Sequence, residues 1–262
     1  MMGLLFTYSI DDGNPSDLRM AELLSKHGIN GTFYIPIRNS EGDTFPVMSD
    51  AQMREVGSQF EIGAHTYDHC RLKNLGDREA HFQIVEGKRH LENLLGRPIT
   101  GFCYPGGKYG KRDVDAVKAC GFHYARTTMN LRFDAGNDIF QIPTTIQFYP
   151  HSRSVYLRNF IASGNWSQRR DGLMLAMRHD DWMDRMYALF DHACKHNRVF
   201  HLWTHSKDID QLDAWKKLDG FMAHVAANVR VQDRLNNGQL AEKLFNRRTP
   251  AGLVRPGLSE QV

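Results

Sequence analysis

The chain has 262 residues, 41% of them hydrophobic and 24% charged, with a net charge of +3. That balance excludes a disordered or collagen-like chain and describes an ordinary globular protein with material for one large domain. The net charge is small and no block of like charges stands out, which argues against a nucleic-acid-binding arm.

Residues 4–9 (Leu-Leu-Phe-Thr-Tyr-Ser) read as a strand. Asn14-Pro15-Ser16 is a helix-start signal, followed by apolar Leu18, Met20, Leu23 and Leu24, with Gly28 as the stop. Residues 32–37 are rich in β-formers. Ser49-Asp50 caps a short helix running to Val56, and residues 60–65 return to strand. A long amphipathic helix is predicted over 77–95, closed by Gly96. A strand over 99–104, a helix over 113–119 and a strand over 122–127 follow. Residues 139–149 read as extended and 155–162 as helical. A helix over 183–196, a strand over 199–204 and a helix over 212–229 complete the pattern. About seven strand–helix alternations predict a single-domain α/β fold with a parallel sheet. The length suits a deformed (β/α) barrel better than a short open sheet. With no repeat and no linker, one domain is expected over 1–248 and a surface tail over 249–262.

The four cysteines (Cys70, Cys103, Cys120, Cys194) are scattered, with no Cys-x-x-Cys pair. Neither a zinc ribbon nor a disulfide framework is expected. There is no leader-like segment and no apolar run near the ~18 residues of a membrane span. The expectation is a cytoplasmic protein with no membrane span.

Thirteen histidines invite a search for metal or acid–base chemistry. Four clusters fall where strands are predicted to end: Asp11-Asp12-Gly13, His65-Thr66-Tyr67-Asp68-His69, Tyr104-Pro105-Gly106-Gly107 and His201-Leu202-Trp203-Thr204-His205. Parallel α/β folds gather those ends on one face and build sites there. Singly, each cluster is a turn, a loop or a structural histidine. If Thr66 caps one helical turn, His65 and His69 come onto one side. Two imidazoles and one carboxylate from Asp11-Asp12 then make a metal site with open positions. One aspartate binds the ion and the other serves as base.

In this order the four clusters resemble the polysaccharide deacetylase family, carbohydrate esterase family four. The resemblance implies a divalent metal, usually Zn2+, and hydrolysis of N-acetyl groups on amino sugars. It further implies Asp11 as base, Asp12, His65 and His69 as metal ligands and His205 as general acid. Tyr104, Pro105 and Gly106 would form the loop whose backbone N–H helps hold the oxyanion. Where the family often carries an arginine two residues before the proline, this chain has Cys103. Arg126, at another predicted strand end, is the candidate replacement that orients Asp11. The family's aspartate that tunes the acid histidine has no clear match, and Asp180-Asp181-Trp182 reads as a helix start instead. His201 is expected as a satisfied core histidine. Trp203 is expected under the outer helices, or walling the substrate site if the strand ends by Thr204.

The expected partner is an amino sugar, either nucleotide-linked, lipid-linked or in an oligosaccharide, as in lipopolysaccharide O-antigen synthesis. The alternatives are a sugar deformylase or allantoinase-like ureide hydrolase on the same scaffold, or a non-catalytic carbohydrate-binding module.

Overall fold

A computed structural model of the chain describes residues 3–39 and 46–245; the expected tail at 249–262 lies outside the described residues. Strands β1 (Leu5–Asp11), β2 (Thr32–Ile35), β3 (Glu61–Ala64), β4 (Gly101–Cys103), β5 (Tyr124–Arg126), β6 (Ile146–Gln147), β7 (Val199–His205) and β8 (Arg234–Leu235) form one sheet. Its order is β5-β4-β3-β2-β1-β7-β6, with β8 beside β1. Every pairing is parallel. The helices are α1 (Asp17–Lys26), α2 (Asp50–Gln59), α3 (Asp77–Leu95), α4 (Lys111–Ala119), α5 (Arg153–Ser163), α6 (Trp166–Arg178), α7 (Trp182–Lys195), α8 (Ser206–Gln211), α9 (Trp215–Asn228) and α10 (Asn237–Phe245). None of these helices is long and apolar enough to cross a membrane.

Strand β1 is buried along its whole length, because helices cover one face and the barrel interior the other. Phe6, Tyr8 and Ile10 alternate outward into a core with Met20, Leu24, Phe190 and Phe221. Each such side chain contributes roughly 1.5–3 kcal/mol by leaving water. Thr7, Ser9 and Asp11 alternate inward, and the interior they enter is polar. Asn237, at the start of α10, plugs its lower end. The Asn237 amide donates to Thr7 Oγ1 at 2.8 Å, and its Oδ1 accepts from the Tyr34 hydroxyl at 2.8 Å. His201 sits beside it, with Nδ1 3.0 Å from the Pro143 carbonyl and Nε2 3.0 Å from Ser9 Oγ. Burial, reinforced by Arg126, brings its pKa down to about 3. It is the satisfied, neutral core histidine that was expected.

The sheet curls, and residues 139–148 join its two edges. Arg126 bridges to Ile142 on the β5 side. The Thr145 and Phe148 N–H groups donate to His201 and Trp203 carbonyls on the β7 side. Only two of these residues form regular strand, fewer than the extended run predicts, because the segment changes partners midway.

The predicted ends of the long helix hold: α3 stops at Gly96, whose φ of 65° is the left-handed conformation glycine adopts at a helix C-terminus. Ser49 and Gln52 make a reciprocal capping box at α2. The helix expected over 212–229 is α9, which begins at Trp215; the short α8 before it was not foreseen, and the two are separated at Asp213 with φ 47°. Helix α6 and α10 were not foreseen. The buried residues of α6 are Arg169, Gly172 and Ala176, a set that carries no strong apolar stripe to read in sequence.

Candidate active site

The register of the sheet explains why distant motifs meet. Asp11 pairs with His205 across β1 and β7, and with Tyr34 across β1 and β2. Cys103 pairs with Arg126 across β4 and β5. His65 follows β3 directly. All lie at the C-terminal strand ends, where parallel barrels place their sites. The adjacent aspartates do not alternate as strand neighbours would. Asp11 is the last residue of β1, and Asp12 turns left-handed with φ 80°. That turn swings the second carboxylate back toward the first.

Two further non-glycine residues here are left-handed, Thr66 (φ 63°) and His69 (φ 57°). Such positions cost roughly 1–3 kcal/mol each and cluster where function holds them. They replace the helical turn expected between His65 and His69. The loop is pinned from α3: Tyr67 N–H donates to the Gln83 carbonyl at 2.9 Å, and Asp68 N–H to Gln83 Oε1 at 2.8 Å. A Cβ on Gly87 would come within 2.9 Å of the Thr66 carbonyl carbon, so only glycine lets the helix approach this closely.

The two histidines converge on Asp12. His69 Nε2 is 3.0 Å and His65 Nε2 3.6 Å from Asp12 Oδ1. That oxygen is buried and has no hydrogen-bond partner among the described residues. His65 Nδ1 donates to the Cys103 carbonyl at 2.9 Å, which leaves the Nε2 lone pair facing Asp12. Burial opposes charge on Asp12, yet His205, His65 and His69 hold its carboxyl well below the usual range. The other Asp12 oxygen takes Lys207 Nζ at 2.9 Å. An orphaned carboxylate oxygen between two imidazole nitrogens fits a divalent cation held by Asp12, His65 and His69. Asp11, His65 and Cys103 also lie close together. That set fits poorly, because His65 Nδ1 is already used and burial pushes the Cys103 thiol up, away from thiolate.

Asp11 faces the same space and is paired with Arg126. An Arg126 Nη2 hydrogen bond reaches Asp11 Oδ1, and both side chains are nearly inaccessible to water. The guanidinium sits between the rings of Tyr34 and Trp203, at 5.1 and 5.2 Å. Cys103 Sγ lies 3.8 Å from the other Asp11 oxygen. The position expected to hold an arginine is thus buried and filled by a thiol, while the charge arrives from the next strand.

His205 stands opposite. Its Nδ1 is 2.7 Å from Asp208 Oδ2, and its Nε2 is 3.8 Å from Asp12 Oδ2. Burial works against protonation, but Asp12 and then Asp208 raise its pKa above the ordinary histidine value. A cavity of about 410 Å³ joins these groups; Asp11, Asp12, His65, His69, Trp203 and His205 all line it. It continues into a trough of about 740 Å³ along Gly106, Lys108, Thr128 and Asn159.

Residues 5–125 match the family model described as polysaccharide deacetylase. Over that stretch the chain is similar to the polysaccharide deacetylase family. A structure from Mycobacterium smegmatis assigned to the polysaccharide deacetylases has 17% identity and a TM-score of 0.67, covering 98% of this chain and 96% of that one. The chitin deacetylase of Colletotrichum lindemuthianum has 11% identity and a TM-score of 0.57, covering 92% and 88%. A Streptococcus pyogenes deacetylase, at 18% identity and TM-score 0.48, matches over only 52% of this chain and 62% of its own. No curated protein matches. At these identities the likeness is one of fold.

The match to the deacetylase family covers Asp11, Asp12, His65, His69 and the loop at Tyr104, Pro105 and Gly106. Within that loop only Gly106, with φ 59°, lines the cavity. Tyr104 does not: its ring stacks on Tyr109 at 4.2 Å, its hydroxyl donates to the Phe140 carbonyl, and its N–H donates to the Arg126 carbonyl. Trp203 does not pack under the outer helices. It lies two residues from both His201 and His205, shares their inward face, and walls the cavity. Asp181 caps α7 by accepting from Met183 and Asp184 N–H groups, so Asp180-Asp181-Trp182 is a helix start, as expected.

Asp208 and Lys207 were not foreseen. Both sit on α8, one turn past the strand end, and the signal was available: an acid three residues after a strand-terminal histidine can reach back to it. Asp208→Asn removes one group that raises the His205 pKa. The basic limb of the kcat/KM profile is therefore expected to move to lower pH, with the acidic limb unchanged. The sign is that expected on the reading of His205 as a general acid, which acts in its protonated form. The same raised pKa means its ion pairs stabilise the fold fully below the ordinary histidine range. That contribution is lost as pH climbs through the raised value. A pH–rate series on both proteins checks this, and an unmoved basic limb would remove Asp208 from the acid's environment.

Proposed function

We propose that the chain is a metal-dependent hydrolase that removes the N-acetyl group of an amino sugar, acting on an intermediate of surface polysaccharide synthesis such as O-antigen. The observation that carries this reading is the buried, orphaned Asp12 oxygen between His65 and His69, with Asp11 and His205 lining the same cavity. A divalent ion, most plainly zinc, would be held by Asp12, His65 and His69, and when bound supplies Lewis acidity that acidifies water and polarises an amide carbonyl.

The chain's own groups supply the proton traffic. Asp11, held by Arg126, accepts a proton from the attacking water. His205, kept protonated by Asp12 and Asp208, gives a proton to the leaving amine, which departs poorly as an anion. The Gly106 N–H is the loop donor at the cavity wall toward the developing oxyanion. Trp203 offers an apolar wall for a sugar ring. Water adds across the amide, so the products are acetate and a free amino sugar.

The test has two parts. Purified wild type loaded with zinc is expected to retain about one ion per chain, and Asp12→Ala to lose it. The loaded enzyme is then offered N-acetyl hexosamines, N-formyl sugars and cyclic ureides, with acetate, formate and ureide cleavage followed separately. Formate release alone would move the chain to the deformylases. Bound sugar with no release of any product, in metal-loaded protein, would favour the binding-module reading.

A further inference from the structure

Helices α5 and α6 form a hairpin unlike the rest of the surface. Among the described residues seven large hydrophobic side chains are exposed, and four of them, Leu157, Ile161, Trp166 and Met174, lie on this one hairpin. Ile161 is 63% and Trp166 59% exposed. The inward residues are Tyr156 on α5 and Arg169, Gly172 and Ala176 on α6. The helices run antiparallel, with Arg153 Nη1 donating to the Met177 carbonyl at one end and the Trp166 indole N–H to the Phe160 carbonyl at the other. Arg153, Leu157 and Ile161 recur every four residues on α5, and Trp166, Arg170, Met174 and Arg178 on α6. Both rows fall on the side away from the buried set. The hairpin also carries five arginines against a single acid, Asp171. Arg169 is buried on backbone carbonyls of Asn130, Phe160 and Gly164, and Arg153 reaches Asp180 at 2.8 Å. Arg158, Arg170 and Arg178 are exposed.

We propose that the outer face of this hairpin docks on an anionic phospholipid surface, and that the amino sugar is presented from it on a lipid carrier. Alternating arginine with Leu, Ile, Met and a rim tryptophan is the chemistry of an interfacial contact: apolar side chains enter the headgroup boundary while guanidinium groups meet lipid phosphates. A tryptophan whose N–H is already satisfied and whose ring is bare suits that depth. The other side of α5 lines the site, through Val155, Tyr156, Arg158 and Asn159 in the smaller cavity and Asn159 and Ser163 in the larger trough. The same helix therefore carries residues of the site on one side and the exposed Leu157 and Ile161 on the other. The docking stands independently of the proposed chemistry, whereas the lipid-linked class of substrate rests on the N-deacetylase reading.

The test uses the full chain and vesicles without substrate or added metal, so it is blind to catalytic failure. Flotation is measured with vesicles of equal parts phosphatidylglycerol and phosphatidylethanolamine, and with phosphatidylcholine alone. Wild type is expected to float with the anionic vesicles, to release at high salt, and to bind phosphatidylcholine about tenfold less. The double variant Leu157→Glu/Ile161→Glu is expected to lose about tenfold or more of the bound fraction, with unchanged far-ultraviolet circular dichroism. Arg170→Glu is a milder second variant should the double one fail to fold. Quenching of wild-type tryptophan emission by brominated lipid, abolished in Trp166→Phe, locates the contact without either. No flotation at low salt, or equal flotation of the variants, overturns the proposal. So does a wild-type dimer that Leu157→Glu/Ile161→Glu converts to monomer while vesicle binding stays absent, which would assign the patch to a second copy of the chain.

Discussion

Asp11→Asn is expected to lower kcat by about 10²–10⁴-fold while the chain still takes up a divalent ion as wild type does. Asparagine keeps the size of the side chain and an oxygen for the Arg126 hydrogen bond, so the pocket is preserved. What is lost is a basic oxygen in the only cavity that also holds Asp12, His65, His69 and His205 among those described. Zinc titration beside single-turnover kinetics separates the two roles. Equal loss of metal and rate would mean that Asp11 is a ligand, and that the division of labour between the adjacent aspartates is drawn wrongly.

Arg126→Met is expected to destabilise the protein by about 3–5 kcal/mol, because it strands a buried carboxylate without its counter-charge. In a chain of this size that is a fall in Tm on the order of 10 °C. The rate should fall as well, since Asp11 loses the guanidinium hydrogen bond that orients it. Arg126→Lys should not rescue: an ammonium lacks the flat face that sits between Tyr34 and Trp203. Thermal unfolding and kcat at several pH values check both effects. A wild-type Tm in Arg126→Met would show that the pair contributes nothing to the fold. Metal uptake serves as the control for a site that has kept its shape.

The parts of the site legible in the sequence are those whose position follows from a strand end. Asp11, Asp12, His65, His205 and Arg126 each end or follow an apolar run, and the sheet gathers such ends. The link from Arg126 to Asp11 was readable as a substitution of one strand's charge for another's once Cys103 stood where a cation was expected. What escaped was geometry made by irregular backbone. Left-handed Thr66 and His69 have no signature in residue type, since neither is glycine or asparagine. Asp208 and Lys207 lie on the six-residue helix α8, too short for a periodic pattern to register. Trp203 was assigned the opposite face from His205, although residues two apart along a strand share a face. Helix α6 escaped because its inward face is an arginine, a glycine and an alanine; its outward apolar residues blurred the periodicity that normally marks a helix.

Strand β1 has one more consequence. It lies between β2 and β7, so the first strand made is the central one, and its second partner begins only at Val199. At the usual pace of synthesis that partner emerges roughly 10–40 s later. During that interval the nascent sheet exposes an open edge that is rich in Leu, Phe and Tyr, the kind of surface on which chains misassociate. Pairing over so long a loop is intrinsically slow. Refolding of this protein should therefore be limited by the docking of β7 onto β1. Because that same event seats His205 opposite Asp11, recovery of activity should coincide with the last folding phase rather than precede it.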